Sequence, residues 1–557
     1  MRFCLAKKAA NAFSINKLDP KSMIIIFMLG IYPLIVIPGP LDYFRGPRYL
    51  VLVIIFLLSL YFLTYERINF KKPHFYLLGL FLLFALVSTL LARDVTIAWL
   101  GSPKWYTGLS TYLFCISLFV LASRTDRTFN YFIPMAAAAS MVSVIAVMQH
   151  YGLNIVPHEL SREGLASFGT MGHPNWLGTY IILVLPAAIY FYMQKKHLLW
   201  LLGSALIYAA LLATMTRGAW LSFLVVFIII SFYFLRDSKN IKHFLLLLLV
   251  LVIVTLIFLP YEDWTLFQRA STIQDEVESS VKLEDRGGSR RIFIWKEAIK
   301  VVPDNWLFGL GADNFSEAMV MTPGGIPYHK THNIYLEILV TMGLFAFISY
   351  MAFISYILFR SMKQSFLFVI VILAYLLNGL FNHGVIEVFP LFWVVLGLSL
   401  TNEKHFGKET NGEIVNGTAN RTKNLDESKL DSGKKREGNL IRYVLKGCIV
   451  LFIIVIYFWL FFPSEQKVDI PGGGTYTGEL RGSYFHGEGT WHSGYGVTYE
   501  GEFKYGKFNG YGKMTFAEGT KYKGEFRENQ MHGRGKIIFP DGRVKEGIWG
   551  RGVFQEQ

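Results

Sequence analysis

Apolar segments long enough to cross a bilayer recur through the first 400 residues of this chain, and they constrain its fold more than any other feature. Inside lipid, backbone polar groups must be satisfied within helices or closed barrels, and continuous apolar segments of this length favour helices. We therefore predict a polytopic all-α membrane protein with about 12 spans plus one C-terminal span. The segments lie near residues 22–38, 48–65, 75–92, 107–122, 131–150, 175–193, 198–214, 219–235, 241–259, 333–359, 365–381, 384–400 and 441–462.

The composition narrows the class of protein further. Hydrophobic residues make up 53% of the 557 residues, which excludes a soluble protein of several domains. The net charge of +14 does not indicate nucleic-acid binding, because Lys and Arg cluster in short loops between the apolar segments. The three cysteines, Cys4, Cys115 and Cys448, lie in the N-terminal segment or inside apolar segments, so we expect no disulfide framework.

Positive charge in the connections predicts the orientation of the chain. The N-terminal segment 1–21 is rich in lysine, and every second connection after it is basic. Because basic loops stay in the cytoplasm, we place this segment there and the large loop 260–331 on the outer side, with the connections 151–174, 215–218 and 382–384. The basic connections contain Arg67, Lys71, Lys72, Arg124, Arg127, Lys195, Lys196, Arg236, Lys239, Lys242, Arg360 and Lys363.

The tail of the chain contains a linker, a span and a repeat. Residues 401–440 are polar, with almost no aromatic residues, and we interpret them as a disordered cytoplasmic linker before the span 441–462. A 23-residue period then begins with Tyr476-Thr-Gly-Glu, Tyr499-Glu-Gly-Glu and Tyr522-Lys-Gly-Glu, and ends in the incomplete unit Lys545-Glu-Gly-Ile-Trp549. Glycines recur in register, at 487, 510 and 533, at 489, 512 and 535, and at 496, 519 and 542. Residues 475–550 resemble an array of MORN repeats, which implies one β-hairpin per unit. Thirteen spans would put the array outside the cytoplasm, and the sequence identifies no partner for it.

Four polar motifs lie at the outer ends of the predicted spans. They are Gly169-Thr-Met-Gly-His173-Pro-Asn175-Trp; Thr216-Arg217-Gly-Ala-Trp220; Ser289-Arg290-Arg291 continuing through Asn305 to Phe315; and His332-Asn333 with Leu336, Glu337 and Gly343. Together, over residues 22–400, they resemble the O-antigen ligase and Wzy-type polymerase family of GT-C-like integral-membrane glycosyltransferases. The resemblance implies transfer of a glycan from an undecaprenyl-diphosphate carrier to a glycan, lipid or wall-polymer acceptor. It also implies that no metal or other cofactor is used, and that the site faces outward from a bacterial cytoplasmic membrane.

Arginine is the residue type that this chemistry requires for the leaving group. Breaking a sugar–diphosphate bond leaves negative charge on the carrier, and the guanidinium fork binds phosphate oxygens bidentately. We predict Arg217, Arg291 and Arg290 as ligands of the donor diphosphate. Arg217 could instead reach lipid headgroups, and one of the adjacent pair could be only an interface anchor. We favour Arg291, because the family pattern places its arginine just before a helix. That helix is predicted to carry one apolar face made of Ile292, Trp295, Ile299 and Val302.

His332 is the candidate catalytic base, since an imidazole titrates near neutrality. The alternative is a capping or interface histidine. We expect Asn333 to orient either the imidazole or a sugar hydroxyl. Glu337, one helical turn later, is expected to fix its helix and not to react.

Three more residues are predicted to support the catalytic residues or to line the substrate groove: His173, Asn175 and His383. A structural role is the alternative for the two histidines. The spacing of His329 and His332 is also compatible with zinc, but no adjacent carboxylate or cysteine completes a ligand set, so we predict no metal. Gly309 and Gly311 would let the backbone approach a phosphate or a sugar, or simply make a turn.

Other classes of function lead to different expectations. A lipid-linked glycan transporter should carry charged residues along its spans, and few are present. A membrane anchor that displays the MORN array would not need so many spans. Within the enzyme class, the motifs are shared by ligases and by polymerases that join repeat units on the carrier, and we favour a ligase.

Overall fold

The protein is described as a computed structural model, in which the chain forms two compact units, one helical and one made of β-strands. The predicted span 441–462, residues 1–18 and all but the first residue of the linker 401–440 lie outside the described residues. Described are residues 19–37, 44–65, 70–125, 130–153, 156, 166–260, 265–282, 284–285, 290–318, 328–401, 464–470, 474–481, 484–504, 506–527, 529–550 and 552–555.

The helical unit is built from apolar helices joined by short connections, and the polar loop 260–331 adds two further helices. We number the α-helices within the described residues in chain order: α1 Pro20–Gly30, α2 Arg45–Leu63, α3 Pro73–Leu90, α4 Val95–Leu100, α5 Leu109–Ala122, α6 Phe132–His150, α7 Pro174–Lys195, α8 Leu198–Ala213, α9 Arg217–Leu235, α10 Ile241–Phe258, α11 Thr265–Val281, α12 Arg291–Asn305, α13 Ile334–Met362, α14 Phe366–Asn378 and α15 Phe389–Leu398.

Seven helices within the described ranges are long and apolar enough to cross a membrane: α2, α3, α6, α7, α9, α10 and α13. Five shorter apolar helices, α1, α5, α8, α14 and α15, coincide with the remaining segments predicted before residue 401. The prediction of a polytopic helical protein is thus confirmed, whereas the count of twelve spans stays a prediction. Helix α7 is the most enclosed of the seven, with 94% of its apolar window buried.

The helices that carry the polar motifs begin at specific capping residues. His173 precedes Pro174 at the start of α7, and its Nδ1 accepts a hydrogen bond from the Asn175 N–H at 3.1 Å. Asn333 caps α13, because its Oδ1 accepts from the N–H groups of Tyr335 and Leu336 at 3.0 and 3.1 Å. Such caps satisfy backbone donors that have no partner inside the helix. Two motif residues are therefore fixed by the helix starts themselves.

The outer loop is joined to a break in α13 through backbone groups. Helical geometry is interrupted at Gly343, with φ 82°, and there the Leu344 N–H donates to the Trp306 carbonyl at 2.8 Å. The Gly311 N–H donates to the Thr341 carbonyl at 2.7 Å. A side chain on Gly309, which has φ 69°, would collide with the Thr341 backbone. Gly309 and Gly311 therefore approach the backbone of α13.

The predicted apolar face of α12 is buried in part. Ile292 is buried, whereas Ile299 is 57% exposed. The helix packs on α13 through Ile294 and Ala298, which join a cluster with Leu310, Phe315 and Val340. Val302 of the predicted face packs against the same cluster.

The second unit is a nine-stranded antiparallel sheet in which every strand pairs with its neighbours in sequence. This arrangement confirms the predicted stack of hairpins. Its strands are β1 Ser464–Ile470, β2 Gly474–Arg481, β3 Tyr484–His492, β4 Thr498–Lys504, β5 Lys507–Thr515, β6 Lys521–Arg527, β7 Gln530–Ile538, β8 Val544–Gly550 and β9 Val553–Gln555.

The repeated tyrosine organises each hairpin of the sheet. Tyr476, Tyr499 and Tyr522 are fully buried, and each hydroxyl donates to the carbonyl of the residue three positions later, at 2.8 to 3.1 Å. Each ring covers a glycine of the next strand, where a Cβ would lie within 2.6 Å of the ring. The covered glycines are Gly489, Gly512 and Gly535.

Of the three glycine series, one lies in the turns between the strands. Gly496, Gly519 and Gly542 occupy these turns with φ of 80° to 90°. Among the other aromatic residues of the sheet, Trp491 and Phe516 pack against the buried cluster, whereas Tyr511 is 52% exposed.

Candidate active site

The loop before α13 is held in a conformation that carries His332 at its end. His332 has φ 55°, in the left-handed region, and the next residues are anchored because the Ile334 N–H donates to the Gly379 carbonyl at 2.9 Å. On the other side, Trp295 of α12 donates through Nε1 to the Thr331 carbonyl at 2.9 Å. The half-buried imidazole therefore lies where α12, α13 and the end of α14 meet.

A buried charge cluster lies beneath this loop. Lys330, only 3% exposed, contacts Asp313 Oδ1 at 2.6 Å and Glu337 Oε1 at 2.9 Å, and donates to Thr107 Oγ1 at 2.8 Å. The backbone N–H and the hydroxyl of Thr331 both lie 2.9 Å from Glu337 Oε2. Burial by itself acts to lower the pKa of Lys330, but Asp313 and Glu337 outweigh it and raise the pKa above its ordinary value. Glu337 thus holds the loop that carries His332.

Aromatic contacts connect His332 with both of the other predicted histidines. The centroid of the His332 ring lies 5.1 Å from that of His383, which in turn lies 4.9 Å from the Trp105 ring. Trp105 lies 5.9 Å from Trp176, and Trp176 lies 5.1 Å from His173. Residues from four separate parts of the sequence therefore form one continuous surface.

The two central histidines are held in their neutral form. Burial lowers the pKa of His332 to about 4, and the charges of Arg291, His173 and Lys330 act in the same direction. Burial also lowers the pKa of His383 well below its ordinary value. His383 is 5% exposed, and neither of its ring nitrogens has a hydrogen-bond partner among the described residues. Both imidazoles can therefore accept a proton or a hydrogen bond at neutral pH.

The predicted arginines differ in their relation to this surface. Arg291 opens α12 and is close enough for its charge to act on His332. Arg290 is exposed, with φ 69°, just before the helix. Arg217 opens α9 and donates from Nη1 to Thr272 Oγ1 at 2.8 Å. A Cβ on Gly218, the next residue, would lie 2.8 Å from Phe381, so the start of α9 adjoins the turn that carries His383.

Asn175 and Asn333 are held by local contacts. The Asn175 N–H bonds to His173, and its carbonyl accepts from the Thr179 hydroxyl at 2.9 Å. The side-chain oxygen of Asn333 is used as the cap of α13. These contacts fix both residues beside the histidines, and an interaction of their side chains with substrate stays a prediction.

Several charged and aromatic residues of the site were missed in the sequence. The Arg45 guanidinium carbon lies 4.8 Å from the Trp176 centroid and 5.4 Å from that of Trp105. Arg45 Nε also lies 3.9 Å from a carboxylate oxygen of the fully buried Glu387. A lone carboxylate inside a predicted apolar segment is a recognisable signal, and so is Lys330, two residues before His332.

Unusual backbone conformations concentrate around this site. Seven non-glycine residues of the described chain have positive φ, and five of them belong to loops that reach the site. Such conformations cost of order 1–3 kcal/mol each and are often found at functional sites. The five residues are Tyr106, Met215, Arg290, Asp313 and His332.

A zinc site at His329 and His332, which their spacing suggested, would need further ligands. Within the described ranges, no group of three or more His, Cys, Asp or Glu side chains is arranged to hold a metal ion. His329 and His332 thus lack a third partner of these types among those residues.

The fold and the site define a class of protein: a multi-span membrane protein with a compact polar site at the ends of its helices. Residues 198–351 match the family described as O-antigen ligase, and residues 499–521 and 522–542 match the MORN repeat. These segments of the chain are therefore similar to the two families, as the sequence motifs had indicated. The match supports a membrane enzyme for glycan transfer of the ligase or polymerase kind. No curated protein matches the chain significantly.

Proposed function

We propose that this chain transfers a glycan from an undecaprenyl-diphosphate carrier to the hydroxyl of an acceptor, as a ligase on the outer side of a bacterial cytoplasmic membrane. The observation that carries the proposal is His332, a neutral imidazole held in a strained loop between His383 and the charge of Arg291. A neutral base beside fixed positive charge is what this reaction requires.

In the proposed step, the acceptor oxygen attacks the anomeric carbon and its proton passes to a ring nitrogen of His332. The bond between that carbon and the diphosphate oxygen breaks, and its electron pair leaves with the undecaprenyl diphosphate. The products are the glycosylated acceptor, the carrier diphosphate and one proton.

Donor binding is expected to strengthen His332 as a base. In the free protein, the charge of Arg291 adds to the effect of burial on the His332 pKa. A diphosphate bound to Arg291 would offset this charge and raise the pKa toward the working pH, where a general base is most effective. Arg217 is assigned to the same diphosphate, since the start of α9 adjoins the His383 turn. Arg290 is the weaker candidate because it is exposed just before α12.

The partly exposed Trp105 beside the histidines is assigned to the sugar, because an indole ring suits the apolar face of a sugar ring. Trp176 is buried beneath Arg45 and supports Trp105. His383, buried and without a partner among the described residues, is available for a sugar hydroxyl. His173 in turn supports Trp176.

The test uses the purified full-length protein with a synthetic undecaprenyl-diphosphate glycan and a candidate acceptor. The key variant is His332→Asn, because Asn tolerates the left-handed backbone at this position better than Ala does. Turnover should fall about 100-fold or more, the usual contribution of a general base. The matched control is His197→Asn, at an exposed helix cap outside the site, and it should keep wild-type turnover.

Product analysis separates the candidate activities. A ligase gives product only when acceptor is present, whereas longer glycans on the carrier without acceptor would identify a polymerase. Wild-type turnover by His332→Asn would remove His332 from the mechanism. Activity is expected to survive EDTA, and a loss that zinc reverses would show that a metal takes part.

A further inference from the structure

A polar cavity lies at the other end of the helical unit. It has a volume of about 440 Å³ and is lined by Lys72, His74, Arg124, Arg360 and Thr401, among others. Arg360 lies in the last turn of α13, whereas His332 precedes the first, so roughly 40 Å of helix separates the two sites. This cavity is therefore separate from the candidate active site.

The described lining of the cavity carries positive charge. Three of the lining residues that the structure describes are cations, and none of those described is an Asp or a Glu. Within the described residues, Lys72, Arg124 and Arg360 form no ion pair and no side-chain hydrogen bond. Cations crowded around one cavity repel one another, and a bound anion would remove this cost.

His74 lies among these cations. It is 6% exposed and lines the cavity, and the charges of Lys72, Arg124 and Arg360 all act on its ring. The ring also packs against Phe75 and Tyr356, which fixes its position at the cavity wall.

We propose that this cavity binds a phosphate group. Two guanidinium forks can bind phosphate oxygens bidentately, and Lys72 stands at the start of α3, where the helix dipole also favours an anion. The volume falls in the range of sites that bind small molecules, so it accommodates a headgroup larger than phosphate alone. The lining cations belong to the connections predicted to be cytoplasmic, where anionic phospholipids are abundant. The phosphate can come from such a lipid or from solution.

The experiment compares wild-type protein with Arg124→Gln/Arg360→Gln. The control is Arg236→Gln/Lys239→Gln, which also removes two cations from a predicted cytoplasmic connection, but from exposed positions outside the cavity. Folding of each variant is checked by the protection of the buried Cys115 from a thiol reagent.

In the first arm, the full-length proteins are reconstituted in phosphatidylcholine nanodiscs with or without phosphatidylglycerol, and retained lipids are measured by native mass spectrometry. In the second arm, inorganic phosphate is titrated in a neutral detergent, at an ionic strength held constant with chloride. Loss of two charge-assisted contacts should weaken binding about 10-fold or more in the cavity variant and not in the control.

Retention of phosphatidylglycerol that depends on the two arginines supports the proposal with a lipid as the source. Saturable stabilisation by phosphate that depends on them supports it with free phosphate as the source. Absence of both effects in wild-type protein, or equal losses in the two variants, would overturn it. The two arginines would then only fix the orientation of the chain in the membrane and interact favourably with the dipoles of the helix ends.

Discussion

Replacement of Lys330 by methionine tests the buried charge cluster that supports the candidate base. Methionine has a similar length and no charge, so Lys330→Met mainly removes the cation that lies between Asp313 and Glu337. Because the pKa of Lys330 is raised, the lysine is charged throughout the neutral range, and its stabilising effect is lost only at alkaline pH.

The expected magnitude follows from the distances. The two carboxylate oxygens lie 2.6 and 2.9 Å from Nζ, so they are no more than about 5.5 Å apart. At an effective dielectric constant of about 20, two negative charges at this distance repel by about 3 kcal/mol. This value agrees with the roughly 3–5 kcal/mol lost when one partner of a buried ion pair is removed.

The assay uses Cys115, a free cysteine with no exposed surface. In a background without Cys4 and Cys448, a fluorogenic maleimide reacts with Cys115 only when the helical unit opens. Heating in detergent should show reaction of Lys330→Met on the order of 5 °C or more below wild type.

Lys300→Met is the matched control for this measurement. Lys300 also pairs with a carboxylate, Glu297 at 2.6 Å, but its side chain is 69% exposed. Exposed pairs contribute little, so this variant should unfold close to wild type. Equal unfolding temperatures for Lys330→Met and Lys300→Met would refute the account of the cluster.

Three further predictions concern the reaction and the topology. The pKa of His332 is lowered to about 4, and the base must be unprotonated, so kcat/KM should persist as the pH falls through 6.5 and decline only near 4. An acidic limb at or above 6.5 would contradict this assignment, and Arg291→Gln should move the limb to higher pH. Arg217→Lys keeps the charge but loses the fork, so it should lower transfer measurably, whereas unchanged transfer would favour contact with lipid headgroups. A cysteine at Tyr495, an 86% exposed turn residue, should react with an impermeant thiol reagent in intact cells, and one at Ser432 should not. The reverse pattern would place the MORN array in the cytoplasm.

The features that the sequence predicts best are those with a local signal. Apolar segments define helices one at a time, and the 23-residue period defines the hairpins, so both were predictable without knowing any tertiary contact. The outer motifs contain His173 and His332 and the outer connection 382–384 contains His383, and the fold brings the three together. These histidines meet because the helix ends that carry them lie on the same side of the helical unit.

The parts that were missed depend on contacts between distant residues. Lys330 bonds to Thr107, more than two hundred positions away, and Arg45 lies over Trp105 of a helix connection and Trp176 of α7. The packing of Ala298 on α13 was not predicted, because alanine carries little hydrophobic signal. The sequence does not show which backbone Gly309 approaches, because that depends on the break in α13.

The strands of the β unit pair in the order of the sequence, so the length of the sheet can change in steps of one repeat unit. Each hairpin contacts only the strands before and after it, and each internal tyrosine covers a glycine of its own unit. Removing or duplicating one 23-residue unit would thus leave the remaining contacts intact. Each unit contributes two strands, so each step changes the array by roughly 10 Å. Duplication or loss within the gene can therefore adjust the reach of this array without any redesign of its interior.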